Sequence, residues 1–429
     1  MNVYLDIANR VANPIAGVSP VESADAPILD AELETAVIDT DEGFHGLRAE
    51  WTELLQASTS DNFFLTWEWL YTWWKHLRGG RKLHIVTVRH ERRLVALAPL
   101  ALRPTQMKRL VPFPALEFLG CDNVGSDYLS IIVRKGFEES ALRTLGARLK
   151  QSDDALEFSH VARHNALMES VAHELRAQHW SRQQATIERC PYIALEGQTW
   201  DGYVATLGRT HRTNFKRKVK KLNQLYKLRI DEATTDAERR AALEILVNLH
   251  LKRRREVGGS DALHTDALRR FHDEATAIAL QRGWLRLQVM WLDDVPAAAM
   301  YGIEYNRQFY FYQSGFDSAY ATYSVGLVMT GLSIKAAIER GVTVFDFLHG
   351  EEPYKYLWAS AEHELLRYHF FPPHARGVLL WRWMQLRRNT LQFLARWRPA
   401  RYGARPSTAT RPPPAWSANR SQEDIDDAA

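Results

Sequence analysis

The run VTVFDFL, residues 342–348, is an apolar strand interrupted by one carboxylate, Asp346, among Val344, Phe345 and Phe347. A carboxylate in a buried strand needs a partner or a chemical task. Lys355 is close enough in sequence to supply an ion pair, which is one account. The other sets Asp346 beside a ligand, as a general base or as a group that orients one. The loop that follows adds His349, Glu351, Glu352, Tyr354 and Lys355. His349 can accept a proton near neutral pH, although a lone loop histidine is more often simply exposed. Glu351 and Glu352 read as a solvated acidic turn.

A second candidate lies just upstream. YATYSVGLVMTGLSIKAAIERG, residues 320–341, leaves a strand and enters a helix through Tyr323, Ser324, Val325 and Gly326. Ser324 stands at a plausible N-cap, and Gly326 allows close approach to the first turn. The free N–H groups and the helix dipole there suit a phosphate or pyrophosphate. Most helix starts bind nothing, so a capped helix packed through its glycine explains the local sequence equally simply.

A third is RTHRTNFKRKVKK, residues 209–221, in which seven of thirteen residues are Lys or Arg. Phe215, Val219 and Leu222 recur at i, i+4 and i+7, giving an amphipathic helix with a cationic face. Such a face binds anions: the phosphates of a nucleotide, an acidic or phospholipid-linked acceptor, or tRNA. It also suits a solvated helix that ties two lobes together.

These segments need elements to hold them. In the first half, strands are expected at 35–39, 83–90, 94–103, 115–120, 128–133 and 155–161, with helices at 42–56, 67–77 and 137–150. The polar residues Glu91-Arg92-Arg93 make a hairpin of the second and third strands. In LEFLGCDNVGSDYLSIIV, the residues Gly120, Asp122, Gly125, Ser126 and Asp127 form a polar loop, either a surface turn or the lining of a cleft between lobes. A similar order recurs from 227: a strand at 227–233, helices at 236–257 and 261–282 divided by Gly258-Gly259, and strands at 284–292, 296–305 and 308–316. A helix at 324–340 stopped by Gly341, strands at 342–348 and 364–371, and a Trp- and Arg-rich helix at 374–397 follow. The expected fold class is α+β: two lobes with mixed, mainly antiparallel sheets flanked by helices, at 34–190 and 227–397. A flexible leader at 1–33, a basic connecting segment at 191–226 and a Pro-rich tail at 398–429, expected to be disordered, complete the division.

Bulk properties narrow the choices. At 429 residues the chain is long enough for two cores. Its net charge of +4, from 55 basic and 51 acidic residues, argues for no nucleic-acid partner on its own. Cys121 and Cys190 have no zinc or CxxC spacing and read as buried apolar residues of a reducing compartment. Neither an export signal nor a stretch of roughly 18 apolar residues is visible, so the cytoplasm is the expected location and no transmembrane segment is expected. The tryptophans of TWEWLYTWWKHL fall at helical spacing and read as a packed helix, with an aromatic acceptor platform as the alternative.

The element order over 227–371 resembles the GNAT acetyltransferase fold. FDFLHGEEPYKYLWA, with Asp346, Phe347, Gly350, Tyr354 and Lys355, is similar to the characteristic stretch of the BioF2-like acetyltransferase domain, the group of CelD-type proteins associated with cellulose and polysaccharide biosynthesis. TWEWLYTWWKHL and the hairpin after it resemble the opening of that family, so the likeness spans residues 34–375. It implies an acyltransferase that uses acetyl-CoA or another acyl-CoA and no metal. The acyl-CoA would lie between two splayed strands, PAAAMYGIEY and QFYFYQSGF, with its pyrophosphate on Tyr323, Ser324, Val325 and Gly326 and with Arg212 and Lys216 nearby. The Gln/Arg-x-x-Gly-x-Gly/Ala loop of ordinary GNAT enzymes is absent; only Gly326 stands near its place. Asp346 would be base or orienter, and Tyr354 and Lys355 would contact acceptor or phosphate. The implied acceptor is a small molecule or a lipid- or polysaccharide-linked amine or hydroxyl. FemAB-type aminoacyltransferases also pair two GNAT-like lobes and use aminoacyl-tRNA. Arg209, Arg212, Asn214, Lys216 and Arg217 resemble their basic helix start. A non-catalytic accessory binding protein of polysaccharide synthesis is the remaining alternative.

Overall fold

The computed structural model describes residues 32–105, 113–121, 124–257 and 265–397. Apart from Glu32 and Leu33 the expected leader lies outside them, as do the tail, Asp122 and Gly258-Gly259.

Fifteen strands are described: β1 (Leu33–Ile38), β2 (Lys82–Leu83), β3 (Ile85–His90), β4 (Arg93–Ala98), β5 (Leu100–Arg103), β6 (Ala115–Phe118), β7 (Ile132–Val133), β8 (Ala155–Ala162), β9 (Ser181–Ala194), β10 (Leu228–Glu232), β11 (Leu285–Leu292), β12 (Val295–Tyr305), β13 (Gln308–Phe316), β14 (Val344–Asp346) and β15 (Ala361–Phe371). They form a four-stranded sheet, β1-β3-β4-β7, and an eleven-stranded one, β10-β11-β12-β13-β14-β9-β15-β8-β6-β5-β2. Pairing is antiparallel except at β13–β14 and β6–β8. The expected mixed, mainly antiparallel class is what the chain adopts.

The expected hairpin of 83–90 and 94–103 forms, with Glu91 and Arg92 both at positive φ in its turn. Its strands break at His84 and Pro99 and pass from one sheet to the other. The inner parts pair as β3–β4 in the small sheet, while β2 and β5 pair in the large one. The predicted helix at 42–56 is two, Asp41–Gly46 and Arg48–Gln56, joined at Leu47. The Trp67–Leu77 helix is as expected, and Trp67, Trp69, Trp73 and Trp74 are all buried, which supports packing over an aromatic platform.

The helices Ala166–Ala177 and Trp200–Thr206 and the 14-residue strand β9 escaped the sequence reading. β9 alternates weakly and contains Pro191, so it lacks the usual strand pattern. Yet it pairs with β15 from Ser181 to Tyr192 and with β14 from Tyr192 to Ala194. Parts of the segment 191–226, expected as a basic connecting segment, are thus built into the sheet and core. Its Arg209–Leu225 helix buries Phe215 and Leu222 in the core of the second half, against Trp358 and Gly331. Tyr203 donates a 2.8 Å hydrogen bond to the Trp358 carbonyl.

The two central strands also differ from expectation. β12 and β13 are hydrogen-bonded from Ala298↔Phe316 to Tyr305↔Gln308, so they do not splay. The splay lies one strand over. β13 and β14 run parallel and pair only over Gln308–Tyr310 with Val344–Asp346. Beyond Asp346 the chain follows β9, through Phe347 N–H to Pro191 O at 2.9 Å and Gly350 N–H to Arg189 O at 3.1 Å. From Phe311 onward that side of β13 has no ladder partner among the described residues, and a wedge opens. A bulge opposite Tyr301/Gly302 bends β13 at this point, leaving Tyr312 unpaired between Phe311 and Gln313.

Candidate active site at the wedge

The side chains at the mouth of the wedge come from both halves. Asp346 ends β14 and is 2% exposed. Its Oδ2 accepts a 2.6 Å hydrogen bond from the Tyr128 hydroxyl and its Oδ1 accepts one of 2.7 Å from the Leu348 N–H. Burial pushes the Asp346 carboxyl up to about 7, against the pull of these two donors, and the negative Asp127 adds to the rise. The predicted ion pair with Lys355 does not form. Lys355 Nζ donates to the His349 carbonyl at 2.8 Å and pairs with Glu352 at 2.9 Å. Lys355 is itself buried, so it ties the 349–355 loop together and does not face open space. Tyr354 is half-buried where the short helical turn Lys355–Leu357 begins.

The titratable group that reaches the surface is the half-buried His349, whose side chain is 36% accessible. Its Nδ1 lies 3.0 Å from both carboxylate oxygens of Asp127, and its main-chain N–H donates to Asp127 Oδ2 at 2.9 Å. Nδ1 is thereby committed as a donor, which leaves Nε2 for a substrate. The charge of Asp127 raises His349 to about 9, opposed by burial. Asp127 is fully buried; burial works against its charge, but His349 holds it below the usual carboxylate range. Cys190 is buried beside Asp127, and burial and that charge push its thiol up, which makes it a poor nucleophile.

The loop Val124–Leu129 is held further by the Trp69 indole to Ser126 Oγ at 2.9 Å, the Asn62 amide to Tyr128 O at 3.2 Å, the Leu129 N–H to His160 O at 3.0 Å and the Tyr312 hydroxyl to Val124 O. Backbone strain gathers here. Tyr128, His160 and Leu348 have positive φ without being glycine, and Gly125 and Gly350 share that region. A Cβ on Gly125 would sit 2.6 Å from His349 Cε1, so only glycine lets the loop close on the ring.

The second candidate is positioned but not capped as expected. Ser324 occupies the N-cap of the Val325–Glu339 helix at φ 53°, ψ 49°, and its side chain makes no capping bond. N-cap residues normally have extended backbone. Val325 is buried, and a Cβ on Gly326 would lie 3.3 Å from Phe316. The cations that reach this turn are not Arg212 and Lys216. Lys218 Nζ donates to Thr322 O at 2.8 Å, and Lys221 sits over the Tyr323 ring at 5.2 Å. Arg212 donates to Ala205 O, and Lys216 is exposed. At ~100° per residue these two lie roughly 120–160° round the helix from Lys218. Arg209 and Arg217 are exposed, and Asn214 accepts from Arg217 at 3.0 Å.

Sequence reasoning named Gly125, Ser126 and Asp127 as a polar loop, a surface turn or the lining of a cleft, assigned no role to Asp127, and gave Tyr128 to a strand. Nothing local could link Asp127 to His349, 222 residues away. The usable signal was a loop with two glycines and a carboxylate between two apolar runs. Among the described residues no three His, Cys, Asp or Glu side chains are grouped to hold a metal ion.

Residues 209–356 match the family described as acetyltransferase (GNAT) domain. No curated protein matches the chain in sequence. Among solved structures, FemX superposes with a TM-score of 0.53 at 10% identity, over 77% of this chain and 96% of that one. A conserved protein of unknown function from Bacteroides thetaiotaomicron gives 0.48 at 10% identity, over 79% and 99%. A tandem GNAT protein from the clavulanic acid biosynthesis pathway gives 0.43 at 12%, over 79% and 98%. Residues 209–356 are thus similar to a GNAT domain, and about three quarters of the chain shares the fold of FemX.

Proposed function

We propose that this chain transfers an acyl group from acyl-CoA to an amine or hydroxyl acceptor, with the thioester in the wedge between β13 and β14. The observation that carries this reading is the Asp127–His349 pair at the wedge mouth. Its ring nitrogen is oriented by a buried carboxylate, beside the strand edge where the β13–β14 ladder ends. His349 Nε2 takes the proton from the acceptor as its nitrogen or oxygen attacks the thioester carbonyl. A main-chain N–H of β13 beyond Tyr310 holds the oxyanion. The carbon–sulfur bond then breaks, and the CoA thiolate leaves and is protonated. Asp346 and Tyr128 set the loop geometry behind His349. Ser324–Gly326, with Lys218 and Lys221, receives the pyrophosphate. BioF2-like kinship suggests an acceptor on a lipid or polysaccharide precursor and work in the cytoplasm. The division into lobes near 34–190 and 227–397 is part of the same reading.

The test is isothermal calorimetry with acetyl-CoA and longer acyl-CoAs, followed by a thiol-release assay with candidate amines. Absence of both binding and release, with a folded protein, sinks the proposal.

One observation favours a second reading, transfer from aminoacyl-tRNA. Arg209, Lys216, Arg217 and Lys220 form an exposed cationic face on the helix that flanks the candidate site. The helices Asp236–Val257 and Asp266–Gln281 provide no arm for tRNA, since Leu246 and Phe271 on them are buried in the core. Salt-sensitive tRNA binding, lost on changing Arg212, Lys216 and Arg217 to Ala, would support it.

A further inference from the structure

The last described helix, Ala375–Trp397, packs on the sheet through Met384, Leu380 and Trp381, against Phe113, Ala115, Ala155 and Phe371. A second apolar stripe runs beside that contact, with Trp383 at its edge, its ring 5.8 Å from Phe113. Leu379 is 65% exposed, Trp383 39% and Leu386 67%. Spaced at i, i+4 and i+7, they fall within one stripe about 60° wide at ~100° per residue. Arg376 and Arg382, both exposed, stand on its two flanks. A helix with two apolar stripes normally has something covering each.

Charge identifies the cover. No acidic residue stands between Glu364 and Glu423, and every cation in that stretch is an arginine. The chain as a whole is only +4, so this concentration is local. A Trp/Leu stripe flanked by arginine suits an anionic membrane surface: the apolar side chains enter the headgroup boundary while the guanidinium groups reach up to lipid phosphates. No described helix is long and apolar enough to cross a membrane, so contact would be in the plane of the surface. We infer that the Ala375–Trp397 helix docks this protein on anionic lipid. The inference stands apart from the acyl-CoA reading, because it requires nothing of the wedge.

The experiment is vesicle co-sedimentation of the full chain, without acyl-CoA, using phosphatidylcholine alone or with about one-third phosphatidylglycerol. Binding is expected only to the anionic vesicles and should weaken in high salt. The triple change L379S/W383S/L386S should weaken partitioning about tenfold or more. R376Q/R382Q should weaken it several-fold with an unchanged melting temperature because both positions are exposed, and L379S/L386S, which leaves the Trp383–Phe113 contact in place, should weaken it at an unchanged melting temperature as well. The inference is overturned if neither vesicle binds, or if neutral and anionic vesicles bind alike. It is also overturned if the triple variant binds as the parent does, or changes only the oligomeric state in light scattering, which would assign the stripe to a second copy.

Discussion

Asp127 accepts hydrogen bonds from both the ring Nδ1 and the main-chain N–H of His349, at 3.0 and 2.9 Å. One fully buried carboxylate from the first half of the chain thus fixes both the position and the tautomer of a loop histidine from the second. A histidine held this way is protonated at neutral pH, because Asp127 raises it to about 9. A base works only once it has lost its proton, so kcat/KM should rise with pH through about 9. In Asp127→Asn the charge is gone, and the midpoint should move down toward the ordinary histidine value of about 6.5, with a lower plateau. The pH–rate profiles of parent and variant check this. An unchanged midpoint would remove Asp127 from the role.

Asp346 should leave a mark on stability. Its folded value of about 7 lies above the unfolded 3.8, so the folded protein holds the extra proton between them. Stability contributed by the protonated form is present below about 4 and is lost as pH rises to about 7. Asp346→Asn removes that loss. Relative to the parent it should be more stable at pH 8 than at pH 4, by up to a few kcal/mol. Asp346→Ala strands the Tyr128 hydroxyl and the Leu348 N–H and should cost about 2–4 kcal/mol. Urea melts at the two pH values measure both effects.

Gly125→Ala tests the fit of the loop against the ring. The added methyl would meet His349 Cε1 at 2.6 Å, on a residue with φ +56°. We expect kcat to fall about tenfold or more as the ring is displaced. The accompanying loss of stability should be about 1–2 kcal/mol. A fully active variant would show that the ring has room to move without consequence.

Lys218 and Lys221 should matter for donor affinity, whereas Arg212 and Lys216 should not. Changing the first pair to Ala is expected to weaken acyl-CoA binding about 5- to 20-fold, at roughly 0.5–1 kcal/mol per exposed charge. Changing the second pair should leave the donor Kd within about twofold. Calorimetric titration of both double variants distinguishes them, and the reverse ranking would return the phosphate site to the other flank of the helix.

The architecture was legible wherever local pattern and tertiary role agree. The Trp67–Leu77 helix, the meander β11–β12–β13 and the helix stopped by Gly341 declare themselves through period and turn residues. β9 did not, because both its partners, β14 and β15, arrive from the far end of the chain and supply the order that its own residues lack. The wedge was placed one strand too early. β12 and β13 look equally apolar, and which edge is left free depends on β14 pairing for only three residues. At the site, the sequence pointed to Asp346 because a charge in an apolar run is visible locally. It ranked His349 low because a loop histidine gains meaning only from the carboxylate opposite. Lys355 looked available, but its amine is used up within its own loop.

The order β14-β9-β15-β8 has a mechanical consequence. β9 reaches out of the first half to pair with β14, and β15 returns from the second half to sit between β9 and β8. Each half lends a strand to the other, and the backbone ladder runs unbroken between them. A jaw-like closing of one half over the other would have to tear ladder bonds, so substrates must enter by loop movement within a stiff frame. Cutting the chain between the halves should give fragments that reassociate, and neither fragment should stand as a working unit alone.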